Sequence, residues 1–69
     1  MITTNARYAA ASAVAQGINR DLDNDPNFTL SGSQLDARID RYCDDPATED
    51  ADRIWIRVTL LNDPCIPIR

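Results

Sequence analysis

From Arg53 to Leu61 the chain carries an apolar side chain at six of nine positions, and that run limits the folds open to it more than anything else in the sequence. Ile54, Ile56, Val58 and Leu60 alternate with Trp55, Arg57, Thr59 and Leu61. This is the period of a strand, whose successive side chains point to opposite faces. The first set is expected to face the core, with Trp55 and Leu61 on the other side. Asn62, Asp63 and Pro64 read as a turn. Residues 65–68 can then return as a short edge strand, with Pro67 placed where no ladder donor is needed.

Two stretches have helical periodicity. In the first, about residues 4–22, Tyr8, Ala11, Ala15, Ile18 and Leu22 recur at spacings of three and four. Thr3, Thr4 or Asn5 can cap its start. The second, about residues 32–44, has the clearest start signal. Ser31 and Gln34 have the spacing of a capping box, and Leu30 and Leu35 that of a hydrophobic staple. Leu35, Ile39 and Tyr42 or Cys43 make its buried stripe, and Pro46 closes it. Phe28 to Leu30 can add a third short strand. The expected fold is therefore α+β, a single small domain of two helices packed on an antiparallel sheet of two or three strands.

At 69 residues, a domain buries only about 60% of the surface its unfolded chain exposes, which leaves a thin margin of stability and little room for a deep dry pocket. The chain has no histidine and two glycines. It therefore lacks a side chain that titrates near neutral pH and a glycine-rich phosphate loop. Cys43 and Cys65 have no cysteine neighbours, so one chain cannot supply a four-ligand structural zinc site. They can form at most one bridge. Asp21, Asp23 and Asp25 open like an EF-hand loop, but Pro26 stands at its sixth position and Gly32 at its twelfth. No cofactor, metal or catalytic activity is expected. Nor is a membrane span or a signal peptide, and the expected location is the cytoplasm.

The net charge of -4 is unevenly spread. Asp21, Asp23, Asp25, Asp36, Asp40, Asp44, Asp45, Glu49, Asp50 and Asp52 fall in the middle of the chain against only Arg38 and Arg41. Such a field repels nucleic acid and favours a basic protein partner. Asp36, Asp40 and Asp44, four residues apart, share one face of the second helix. Their spacing along the axis is about 6 Å, close to that of backbone phosphates, so the row can mimic nucleic acid before a basic groove. Asp45, Glu49, Asp50 and Asp52 extend the acidic surface, and Arg41 can pair with Asp45. Trp55, on the strand face away from the helices, offers a second contact and a route to a homodimer or an antitoxin-like pairing. Arg53, Arg57 and Arg69 beside Trp55 could suit a nucleic acid, but the surrounding negative field opposes direct binding.

In length, acidity, simple build and want of catalytic residues, the whole chain resembles in general character the small acidic accessory proteins of phages and other mobile elements, the anti-CRISPR type in particular. The resemblance implies an inhibitor that binds a subunit of a CRISPR interference complex in the host cytoplasm and blocks its access to target DNA.

Overall fold

A computed structural model describes residues 3–44 and 46–69. They form a three-helix bundle: α1 (Thr4–Asn24), α2 (Gly32–Tyr42) and α3 (Asp50–Leu61), each packed against the other two.

The α1 helix starts where Thr3 Oγ1 accepts from the Ala6 amide at 3.1 Å. Alanines favour its interior, and Ala11, Val14 and Ile18 form the buried stripe. It runs two residues beyond Leu22 and stops at Asp25, which is extended (φ -144°, ψ 101°) because Pro26 disfavours the helical region for the residue before it. The expected capping box opens α2. Ser31 Oγ accepts from the Gln34 amide at 3.2 Å, and Gln34 Oε1 accepts from the Ser31 amide at 2.8 Å. Leu35, Ile39 and Cys43 are buried behind it.

The third element corrects the expected fold. Residues 50–61 are a helix, and the only bridge among the described residues is an isolated parallel one between Leu30 and Ile68. The α+β sheet is therefore absent. The strand expected at 53–61 is α3, and neither 65–68 nor 28–30 pairs with it. Three physical reasons account for this. Apolar residues crowd 53–61 so closely that periods of two and of 3.6 both fit. Glu49 and Asp52 form a second capping box, with the Glu49 amide donating to Asp52 Oδ2 at 2.9 Å, and a capped start commits the segment to a helix. A lone hairpin is also marginal in water, whereas a third helix buries Ile56 and Leu60 against α1 and α2. Asp52, Ile56 and Leu60, four residues apart, face inward, while Ile54, Val58 and Leu61 face out.

The tail after α3 closes one end of the bundle. Asp63 Oδ1 accepts from the Cys65 amide at 2.9 Å, making a turn that delivers Ile66 to the core. The Leu30 amide donates to Pro67 O at 3.1 Å, and the Arg69 amide donates to Leu30 O at 3.1 Å. Both cysteines are free. Cys65 lies on the surface, and Cys43 lies in the core, where burial raises its thiol pKa despite the opposing pull of Arg53.

Candidate interaction surface

The acidic row on α2 meets α3 along one seam. Asp40 Oδ1 lies 3.1 Å from Arg53 Nε, and Asp36 Oδ1 lies 3.0 Å from Arg57 Nε. The pairs run in opposite order along the two helices, so α2 and α3 are antiparallel. Arg53 also donates to Cys43 O at 3.2 Å, tying α3 to the end of α2. Between the two pairs runs an open groove of about 300 Å³, floored by Ile39 and Ile54. The row is thus no free strip of carboxylates. Asp36 and Asp40 are paired with arginines distant in sequence, and each of these exposed pairs is worth little to stability, about 1 kcal/mol or less.

Beyond the seam the other acids separate. Asp44 is exposed at the end of α2, and Glu49 and Asp50 are exposed at the start of α3. The Asp50 side chain is 97% exposed, with Arg53 3.7 Å away. As α2 and α3 are antiparallel, Asp44, Glu49 and Asp50 gather at one end of the bundle, where acids also suit the N-terminus of α3. Asp45, and with it the expected pair to Arg41, lies outside the described residues.

Asp52 is not on this surface. It is fully buried, its Oδ1 2.7 Å from Arg7 Nε, with its other oxygen taken by the Glu49 amide. It joins α1 to α3 and caps α3. Trp55 is mostly buried, packed against the core. Tyr8 stacks on it edge-to-face with centroids 5.1 Å apart, and the Arg7 guanidinium carbon stands 5.7 Å from its ring centroid. Trp55 therefore contributes to the α1–α3 contact and is not an open platform.

Sequence reasoning missed the outer face of α3. Ile54 is 61% exposed, Val58 50% and Leu61 43%. They follow at i, i+4 and i+7 and make one apolar stripe whose head is the acidic end. A period of two put Ile54 and Val58 inside. The signal that could have found the stripe is the Glu49–Asp52 capping spacing, which starts a helix and sets its phase.

Among the described residues no cluster of three metal-ligating side chains occurs, and no helix is long and apolar enough to cross a membrane. On this geometry the surface can offer carboxylates at one end, a charge-balanced seam along one side and an apolar stripe between. No protein-family model, curated protein or solved structure matches the chain, so its functional reading rests on its own residues.

Proposed function

We propose that the chain is a non-catalytic binding protein, which uses its acidic surface to occupy a basic site on a larger protein. The observation that carries this is the collection of Asp44, Glu49 and Asp50 in solvent at one end of the bundle, in a chain of net charge -4. Paired Asp36 and Asp40 add to that surface more weakly, through the oxygens that their arginines leave exposed. A target that itself handles nucleic acid fits this charge best, because its basic groove is built for anions. The narrower target, a subunit of a CRISPR interference complex, comes from resemblance in size and acidity alone.

The test is affinity capture from the cells in which the chain is made, at low salt and again at about 0.5 M, where exposed charges are strongly screened. A basic partner should be held at low salt and released at high salt. Asp44→Lys with Asp50→Lys should abolish capture. Asp23→Lys with Asp25→Lys, an equal change of charge in and just after the last turn of α1, should leave it largely intact. No partner at either salt, or equal loss from both double variants, would contradict the reading.

A further inference from the structure

We propose that the outer face of α3, Ile54, Val58 and Leu61, docks on a partner surface whose apolar strip carries lysine or arginine at the end that meets Asp50. This rests on the acidic-surface reading above and adds where the partner sits and what it is made of.

The fold leaves this face half-open, with Ile54 also lining the groove beside α2. Ile56 and Leu60 bury the inner side of α3, while Ile54, Val58 and Leu61 stay between 43% and 61% exposed. Their i, i+4, i+7 spacing is the one by which a helix engages an apolar strip. Isoleucine and valine are poor choices for an exposed helix face, because branching at Cβ restricts their rotamers there and lowers helix propensity by a few tenths of a kcal/mol. Among the described residues the bundle covers only about half of each of these side chains. A bound partner would cover the rest.

Charge decides which partner. On the α2 side the stripe is bordered by Arg53 and Arg57, already matched by Asp40 and Asp36, so that border attracts neither sign strongly. At its head stands Asp50, 97% exposed with Arg53 3.7 Å away, and the exposed Asp44 lies beyond it. A partner with cations beside one end of its apolar strip gains from the stripe and from this acidic head. A second copy of this chain brings the same acidic head and gains only from the stripe. Three side chains, none more than two-thirds exposed, fall well short of the roughly 800 Å² per partner of an ordinary stable interface, so the charged end has to contribute.

The test is an amide NMR titration of the full chain with a synthetic amphipathic helix of leucine and lysine. The controls are the same pattern in leucine and glutamate, and an oligolysine of equal charge. The leucine–lysine helix should shift the amides of Asp50, Ile54, Val58 and Leu61, and bind about tenfold more weakly to Ile54→Gln with Val58→Gln. Equal binding by oligolysine at the acidic end, without shifts along the stripe, would overturn this proposal and leave the acidic-surface reading standing. Equal binding by the leucine–glutamate helix would overturn the charge argument of both. No shift with any peptide would also count against both. Concentration-dependent shifts of the same amides without peptide would assign the face to a second copy. An Ile54, Val58 double variant that loses its dispersed spectrum would show that the fold needs this face, and that too would overturn the proposal.

Discussion

Replacing Asp52 with alanine should leave the chain largely unfolded at 37 °C, seen as loss of helical circular dichroism. Asp52 is fully buried and holds Arg7, itself only 17% exposed, at 2.7 Å. It also accepts the Glu49 amide that starts α3. Removing one partner of a buried pair strands the other charge and costs about 3–5 kcal/mol. Losing the cap adds about 1 kcal/mol. A single core in a chain of this size rarely supplies more than about 3–5 kcal/mol, so the loss consumes the whole margin. Asp52→Asn keeps an acceptor for the Glu49 amide and should be milder. Adding Arg7→Met to the alanine variant removes the stranded guanidinium and should recover part of the loss. A melt of Asp52→Ala within a few degrees of the parent would contradict this assignment.

The two faces of α3 should respond very differently to truncation. Ile56 is fully buried, and Ile56→Ala should cost about 2–5 kcal/mol, the transfer of its methyl groups plus the cavity left behind. Val58, half-exposed two positions on, should lose about 0.5 kcal/mol or less on Val58→Ala, since surface changes away from special features are small and alanine is the better helix former. Urea titrations of the two variants give the comparison. Had 53–61 been a strand with Ile54, Ile56, Val58 and Leu60 on one buried face, the two truncations would cost similar amounts.

The elements that were legible in the sequence are those with one apolar face. Ser31 and Gln34 announce α2, and Leu35 and Ile39 mark its buried side; Ala11 and Ile18 do the same for α1. The α3 helix was not legible because it is apolar on both sides, and because one position of its inner face is an aspartate. A lone Asp52 reads as surface charge until Arg7, 45 residues away, is seen beside it. The acidic site was half-legible for the same reason. Periodicity put Asp36 and Asp40 on one side of α2, but their partners Arg57 and Arg53 come from another helix, and charge counted along a chain cannot register a tertiary pair. Likewise Trp55 looked exposed because a strand period put it on the face away from the helices, whereas on α3 it lies against Tyr8 and Arg7 of α1.

Everything proposed for the surface depends on residues 50–61 being a helix with Ile54, Val58 and Leu61 outward. The most direct measurement is the set of Cα chemical shifts of that segment in the full chain in solution. Uninterrupted downfield deviations from random coil over 50–61, with amide contacts between residues three apart, are the expected result. Upfield deviations over 53–61, with cross-strand contacts to 65–68, would contradict it and restore the hairpin.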